Sequence, residues 1–394
     1  MSEQQSVFRN NHKHPLIANR TAFMIIGILE AAWAPLVPYV KSAFSLDEEA
    51  MGLLMLCSGL GSILALPIAG WLCMKFGAKR VVYFSGFLMA FALLAISLMV
   101  NLWLIAFMLV IFGGCTIMID VAANVNGVAM EQTTGKHLMS GFHGGYSLGT
   151  LIGAGAMSVL FSLGMVPAWA VLIGMVLTLV AMMMGCRDLL AKEDLKANKT
   201  VVKPSEGVRH RIPPMVIVIG LLCFIMYASE GAVMGWSAIF VSQERGVSIS
   251  SAGFFYTAFA VMMTLMRLSG DKIVDRLGQL RVVVLGAISV SIGFFVVILI
   301  PNLVATVIGF ALVGMGAANI VPQLISFASG IKGLAVHNII SIINALGYSG
   351  ILLGPVIIGF VAKRFGLHTS FAGIAVFALV VAGVAFASLK HRES

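Results

Sequence analysis

Residues 75–82 read KFGAKRVV and residues 276–283 read RLGQLRVV, so a basic, glycine-containing segment recurs about 200 residues along the chain. Close to the same offset, Glu30 aligns with Glu230 and Gly52 aligns with Gly253. Two apolar segments resemble each other easily, whereas charged segments that match at one common offset are much more specific. The sequence therefore predicts two halves of similar fold.

The composition places both halves in a membrane. Of the 394 residues, 60% are hydrophobic and 10% are charged, and the mean hydropathy is +1.02. Soluble globular domains carry about 25% charged residues. The composition argues against a soluble enzyme or a disordered chain and favours a polytopic membrane protein, which has the lipid bilayer as its partner. The net charge of +9 does not indicate nucleic-acid binding, because the basic residues lie between apolar segments.

Twelve apolar stretches are long enough to span a bilayer, which takes about 20 residues. They lie at approximately 21–40, 51–74, 81–100, 103–126, 138–162, 165–187, 214–242, 251–274, 281–300, 302–328, 336–362 and 369–389. The first is too long for the core of a signal peptide and contains Pro35 and Pro38, so we interpret it as a retained span.

The spans predict an all-α membrane protein with twelve transmembrane helices in two pseudo-symmetric six-helix bundles. The expected domains are an N-terminal bundle at 1–187, a cytoplasmic linker at 188–213 and a C-terminal bundle at 214–394. With both termini in the cytoplasm, all but four of the 25 basic residues fall on the cytoplasmic side. This asymmetry predicts that orientation.

Residues 70–80 (GWLCMKFGAKR) resemble the loop signature of the major facilitator superfamily, and residues 275–281 (DRLGQLR) resemble its counterpart in the second half. Residues 120–124 (DVAAN), 140–143 (SGFH) and 229–237 (SEGAVMGWS) resemble a subgroup near the fucose permeases, which includes poorly characterised bacterial inner-membrane permeases. The resemblance implies the major facilitator fold and a permease that moves a small polar solute, such as a sugar or a related metabolite. The two bundles predict alternating access across the bacterial inner membrane, and the acids within the spans predict symport with protons.

The signature loops are expected to gate the cavity on the cytoplasmic side, together with neighbouring residues. The predicted gating residues are Gly70, Met74, Lys75, Gly77, Arg80, Glu131, Arg267, Asp271, Asp275, Arg276, Gly278 and Arg281. Met74 departs from the family pattern, which has an aspartate there. The resemblance implies that this aspartate helps to latch the two halves together, and a methionine cannot replace its carboxylate.

Three acids lie deep in the predicted spans, namely Glu30, Asp120 and Glu230. A charge at the bilayer centre costs several kcal/mol, so such residues should face the interior of the bundle or a water-filled cavity. We predict that at least one of them carries the coupling proton. The alternative is a structural hydrogen bond between helices.

Further polar and aromatic residues are candidates for solute binding. They are Trp33, Asn124, His143, Tyr146, Trp236, Asn319, Asn344 and Tyr348. Asp120 and Asn124 are one helical turn apart and share a face, and a carboxylate beside an amide can pair with hydroxyl groups. The two tryptophans could stack on a sugar ring. The alternative roles of these residues are helix packing and, for the tryptophans, interfacial anchoring.

Two other functions stay open at this point. Proton-coupled efflux of amphipathic drug-like compounds would suit the many methionines and aromatic residues, and a transporter-like receptor would bind without flux. An enzyme is not expected. No cofactor or metal is expected either, because the sequence has no phosphate-binding GxxxxGK[ST] loop, no HExxH and no zinc-type Cys/His spacing. We expect a monomer.

Overall fold

A computed structural model describes residues 13–134, 138–189, 212–328, 330–331 and 336–393. Within these ranges the regular structure is helical, and no β-strand occurs. Large apolar side chains lie on the outside of the helices, for example Leu64, Phe84, Trp103 and Val304, each more than 60% exposed. In water such a surface would be unfavourable, whereas lipid is its natural solvent.

The chain divides into two compact units, which are Met1–Leu36 with Cys57–Pro204, and Val37–Leu56 with Ser205–Ser394. The helices up to the linker are α1 (Lys13–Ala32), α2 (Val37–Ala43), α3 (Glu48–Phe76), α4 (Ala78–Ser97), α5 (Leu102–Thr134), α6 (Met139–Ser162) and α7 (Pro167–Gly185), with a 3-10 turn at Ala34–Leu36 between α1 and α2.

A second series of helices follows the predicted linker. They are α8 (Pro214–Arg245), α9 (Ile249–Leu268), α10 (Gly270–Leu277), α11 (Gln279–Leu299), α12 (Leu303–Ala317), α13 (Ile320–Ala328) and α14 (Val336–Glu393).

These helices confirm the predicted membrane architecture. Eleven apolar helical stretches among the described residues are long enough to cross a bilayer. The last of them, Ile342–Ser388, has 47 residues, which at about 1.5 Å per residue is roughly twice the bilayer core. It bends at Gly366, where φ is 84° and ψ is 159°, so it supplies two spans and brings the number to twelve.

The internal repeat is visible in the backbone. Gly77 precedes α4 with φ 87° and ψ 149°, and Gly278 precedes α11 with φ 81° and ψ 155°. This conformation is open almost only to glycine. The two glycines that align in the repeated segments therefore turn the chain in the same way.

Two spans are interrupted. In span 1, Pro35 lies within the 3-10 turn and Pro38 is the second residue of α2, as expected of residues that remove backbone donors. Span 10 consists of α12 and α13. The helix is broken between them at Ala318 and Asn319, which lie four and three residues before Pro322. Proline has no N–H to offer the carbonyl four residues earlier, so the carbonyl of Ala318 loses its helical partner.

The segment Val37–Leu56 belongs to the second unit, although its sequence lies in the first half. A Cβ built on Gly52 would lie 3.1 Å from the carbonyl oxygen of Pro355, and one built on Gly359 would lie 2.5 Å from that of Glu48. Glycine is needed at both positions for this close approach. The domain bounds predicted from the sequence stay a prediction, and the centre of the predicted linker lies outside the described residues.

Charged residues at the start of α3 strengthen this packing. Lys363 Nζ lies 3.2 Å from Asp47 Oδ2 and also pairs with Glu49, while Lys41 Nζ lies 3.1 Å from Glu48 Oε1. The backbone N–H of Ala50 donates to Asp47 Oδ1 over 2.8 Å. This hydrogen bond and Lys363 hold the pKa of Asp47 below its ordinary value of 3.8.

Candidate functional site

In the first unit, glycines allow span 1 (α1) and span 5 (α6) to pack with their backbones in contact. A Cβ on Gly149 of α6 would lie 2.2 Å from the carbonyl oxygen of Met24, and a Cβ on Gly153 would lie 2.2 Å from that of Ile28. No real side chain fits at such distances, so only glycine lets α6 approach α1 this closely. This packing places the polar residues of the two helices side by side.

The second unit repeats this close backbone packing between span 7 (α8) and span 11 (the first part of α14). A Cβ on Gly350 of α14 would lie 2.2 Å from the carbonyl oxygen of Phe224, and one on Gly354 would lie 3.0 Å from the Cα of Ala228. The same helix pair is therefore packed in the same way in each unit. Each pair carries an acid and a tyrosine at matching positions.

In the first unit these residues meet directly. The hydroxyl group of Tyr146 on α6 donates a hydrogen bond to Glu30 Oε2 on α1 over 2.9 Å. Both side chains are half-buried within predicted spans. The pair joins a predicted proton-coupling residue to a predicted solute-binding residue.

A second polar pair lies on α5 of the same unit. The amide of Asn124 donates to Asp120 Oδ1 over 3.1 Å and to the backbone oxygen of Asp120 over 2.9 Å. Both residues are half-buried. Among the described residues, Asp120 has no ion pair. Within the described part of the chain, a carboxylate and an amide are thus held together without a compensating cation.

The acid of the second unit has a charged partner. Arg267 Nη2 on α9 lies 3.7 Å from Glu230 Oε1 on α8, with side chains that are 24% and 18% exposed. The two charges offset each other within predicted spans, where an isolated charge is costly. Arg267, which was predicted to gate, therefore stands beside a residue that was predicted to couple protons.

Arg267 also contacts the interrupted span. Its Nε donates to the carbonyl oxygen of Ala318 over 3.3 Å, and the amide of Asn319 donates to the carbonyl oxygen of Met266 over 2.9 Å. Arg267 thus donates a hydrogen bond to the carbonyl group of Ala318, which lacks a helical partner because of Pro322. The break in span 10 and the ion pair are parts of one cluster.

Aromatic and amide side chains complete this cluster. The ring of Tyr348 on α14 lies 5.3 Å from the ring of Tyr227 on α8, between centroids. Tyr227 is three residues before Glu230 and thus on a neighbouring face of α8, and Asn344 is one turn before Tyr348. Asn344 is half-buried and Tyr348 is 45% exposed. We call Tyr227, Glu230, Arg267, Asn344 and Tyr348 the α8 cluster.

Comparison with known families fits this architecture. A family model of the Major Facilitator Superfamily matches residues 21–337 and, in a second match, residues 219–394. The chain belongs to the major facilitator superfamily. An uncharacterised MFS-type transporter of Yersinia pestis is 39% identical to it over 370 residues, which is 94% of each chain. Membrane protein MosC of Rhizobium meliloti is 27% identical over 94% of this chain and 89% of its own.

Solved structures of superfamily transporters share the fold. A mutant of the nucleoside transporter NupG superposes with a TM-score of 0.75 at 13% identity, over 94% of this chain and 99% of NupG. A mutant of the peptide transporter POT gives 0.73 at 15% identity, over 99% and 98%. Identities this low indicate the fold alone. The chain is a multi-pass membrane transporter of the superfamily, and the finer resemblance to fucose permeases stays a prediction.

The remaining predicted binding residues of this superfamily member are more dispersed. Trp33 is buried in the turn that follows α1 in the first unit, and Trp236 is fully enclosed in α8 of the second. Among the described residues, the Trp236 Nε1 group has no hydrogen-bond partner. His143 lies on α6 with its ring 5.0 Å from that of Phe23. Asn319 is buried at the break in span 10.

Most predicted gating residues lie at the exposed ends of helices. Lys75 Nζ lies 4.5 Å above the ring of Trp71, and neighbouring Met74 is 57% exposed. Glu131 Oε1 accepts hydrogen bonds from the backbone N–H groups at the start of α6. The exposed residues are Arg80, Asp275, Arg276, Gly278 and Arg281, Gly70 is half-buried, and the side chain of Asp271 lies outside the described part of the chain.

Some residues of the site were not predicted. Tyr227 was missed because its counterpart near residue 27 is a glycine, so the repeat did not mark it. Asn19 and Asn126 form a buried pair, with Asn126 Nδ2 donating to Asn19 Oδ1 over 3.0 Å. The break in span 10 did have a signal, since Pro322 stands inside an apolar stretch.

Proposed function

We propose that this transporter moves a small polar solute, a sugar or a related metabolite, by alternating access and is driven by the proton gradient. The observation that carries the proposal is that each unit pairs an intramembrane acid, on span 1 or on the equivalent span 7, with a polar group of another helix of the same unit. Glu30 pairs with Tyr146 in the first unit, and Glu230 pairs with Arg267 in the second. Acids within spans are costly to keep and mark ion or substrate pathways by default.

Neutral partners support a proton-carrying role. Glu30 accepts from a tyrosine hydroxyl and Asp120 from an asparagine amide. When such a carboxylate takes up a proton, the pair becomes uncharged and keeps its hydrogen-bonding capacity. An uncharged pair can move through an apolar region at lower cost than a charged one, which is the requirement for coupling a proton to a conformational change.

The polar groups of the clusters support a hydroxylated solute. Hydroxyl groups both donate and accept, and so do the side chains of Asn124, Tyr146, Asn344 and Tyr348. Two of the structural neighbours are a nucleoside transporter and a peptide transporter, both of which handle small polar solutes. We further propose a monomer in a bacterial inner membrane. The distribution of basic residues along the sequence supports an orientation with both termini in the cytoplasm.

Proteoliposomes with an imposed pH gradient test this function. The solutes are L-fucose, D-galactose, D-gluconate and D-galacturonate, with the amphipathic cation ethidium representing drug efflux. We expect that one of the polar solutes accumulates when the side from which it enters is acidic, and that a protonophore abolishes the accumulation. Accumulation of ethidium alone, or binding without flux, contradicts the proposal.

Amide variants locate the proton site. Glu30→Gln, Asp120→Asn and Glu230→Gln each remove one ionisable group and keep the shape of the side chain. We expect at least one of them to lose gradient-driven accumulation while it retains exchange of solute against solute. Asp188→Asn is the matched control, because this carboxylate is exposed beyond α7. If all three variants accumulate solute as the control does, the acids do not carry the proton.

A further inference from the structure

Building on the proposed function, we infer that Arg267 binds an anionic group of the solute. Glu230 releases the guanidinium group to this anion when Glu230 takes up a proton. The solute class is a small hydroxylated carboxylate, such as a sugar acid, and each carboxylate is bound together with one proton.

The geometry of the ion pair would allow another carboxylate to displace Glu230 from Arg267. Carboxylates that are hydrogen-bonded to arginine lie at about 2.7–2.9 Å and often use two parallel bonds. The contact between Arg267 Nη2 and Glu230 Oε1 is 3.7 Å, which is an ion pair but not a hydrogen bond. Meanwhile the bond from Arg267 Nε to the carbonyl group of Ala318 orients the guanidinium plane. A free carboxylate can therefore form shorter bonds to Arg267 than Glu230 does.

The charge balance links this exchange to a proton. Counted over the described residues of the cluster, one arginine and two carboxylates would leave a net negative charge within the spans, which is unfavourable. A proton on Glu230 restores neutrality. Beside Glu230 the described residues place Arg267 of α9 and Tyr227 of its own helix, and the ring of Tyr348 of α14 lies against Tyr227. The side chain of Asp271, four residues after Arg267 in the sequence, lies outside the described part of the chain.

The rest of the α8 cluster suits the body of such a solute. Tyr227 and Tyr348 offer ring faces and hydroxyl groups, and Tyr348 is 45% exposed. Asn344, one turn before Tyr348, adds an amide that can both donate and accept. A carboxylate on Arg267, with hydroxyl groups towards the tyrosines and the amide, uses every polar group of the cluster except Glu230.

Binding to the purified protein tests the inference with matched probes. D-gluconate is compared with D-glucitol, and D-galacturonate with D-galactose, at pH 6 and pH 8 by calorimetry. We expect at least one acid to bind more tightly than its neutral counterpart. We also expect this binding to weaken from pH 6 to pH 8, by up to about tenfold per pH unit for one linked proton.

Three variants give independent readouts. Glu230→Gln mimics the protonated acid, so acid binding should lose its pH dependence and keep at pH 8 the affinity seen at pH 6. Arg267→Gln should weaken acid binding about tenfold or more, the loss of a charged hydrogen bond, and Arg267→Lys should recover part of it. Lys272→Gln removes an exposed cation nearby and should bind like the wild type.

The outcomes separate this inference from the proposed function. If neither acid binds, or if Arg267→Gln and Glu230→Gln leave acid binding and its pH dependence unchanged, the inference is wrong. Gradient-driven accumulation of a neutral solute that does not depend on Arg267 overturns the inference and leaves proton-coupled transport intact. Binding of an acid that depends on Arg267, but without flux in proteoliposomes, supports the inference and contradicts transport.

Discussion

Replacement of Gly149 by alanine should destabilise the first unit and separate its polar pair. The added Cβ would lie 2.2 Å from the carbonyl oxygen of Met24, whereas ordinary contacts begin at 3.4 Å, so α6 must move away from α1 by about 1.2 Å. The hydrogen bond from Tyr146 to Glu30 is 2.9 Å long, and a shift of this size extends it beyond hydrogen-bonding distance.

Three energies set the size of the effect. Overpacking costs about 1–3 kcal/mol, and a lost hydrogen bond to a charged group costs about 1.5–3 kcal/mol. Alanine in place of glycine within a helix returns about 0.5–1 kcal/mol. Because the helices either separate or stay overpacked, the costs do not add fully, and we expect a net destabilisation of about 1–3 kcal/mol.

Thermal unfolding in one detergent measures this effect against a matched control. Gly373→Ala makes the same chemical change where no atom lies within 4 Å of the added Cβ, so it should be neutral or slightly stabilising. Gly350→Ala tests the repeat, since its Cβ would also lie 2.2 Å from a carbonyl oxygen, that of Phe224. If Gly149→Ala unfolds at the same temperature as Gly373→Ala, the inferred close packing of spans 1 and 5 is wrong.

Three further outcomes are expected. At 3.7 Å the Coulomb energy between Glu230 and Arg267 is about 1 kcal/mol in water and about 4.5 kcal/mol at an effective dielectric constant near 20. A double-mutant cycle of Glu230→Gln and Arg267→Gln, followed by thermal unfolding, should therefore show a coupling of about 1–4 kcal/mol, and additivity would refute the pair. Asp47 has a lowered pKa, so its charge stabilises the fold above its ordinary pKa and stops doing so as the pH falls through the lowered value. Asp47→Asn should lower the unfolding temperature at pH 6, by the equivalent of at most about 1 kcal/mol, and the difference should shrink towards pH 3; an equal difference at both values contradicts the assignment. Glu131→Ala should expose the amides that begin α6, at a cost of about 1 kcal/mol, and hydrogen exchange there should speed up relative to Glu131→Gln.

Most of the fold could be predicted from the sequence because the bilayer restricts the backbone to few conformations. Backbone groups in a bilayer must be satisfied within helices, so long apolar stretches predict spans reliably. The repeat was readable because Gly77 and Gly278 are both required by the same backbone conformation. The packing of Val37–Leu56 into the second unit was not predictable, because glycine contacts such as that of Gly52 with Pro355 depend on tertiary structure.

The sites were only partly readable from the sequence. Glu30 and Glu230 were found because a charge within an apolar stretch stands out and because the repeat aligns them. The partner of Glu230 was not found, because Arg267 stands near the end of a span and looked like a loop residue. Only the break before Pro322 and the approach of α9 to α8 bring Arg267 into the cluster.

The most direct test of proton-coupled transport is to let the solute drive the proton. Proteoliposomes are prepared without a pH gradient and with a trapped pH-sensitive dye, and an acid or sugar that accumulated in the gradient experiment is added outside. We expect that entry of the solute acidifies the lumen, and that the amide variant which loses gradient-driven accumulation also loses this acidification. Solute entry in the wild type without any change of internal pH would contradict proton coupling.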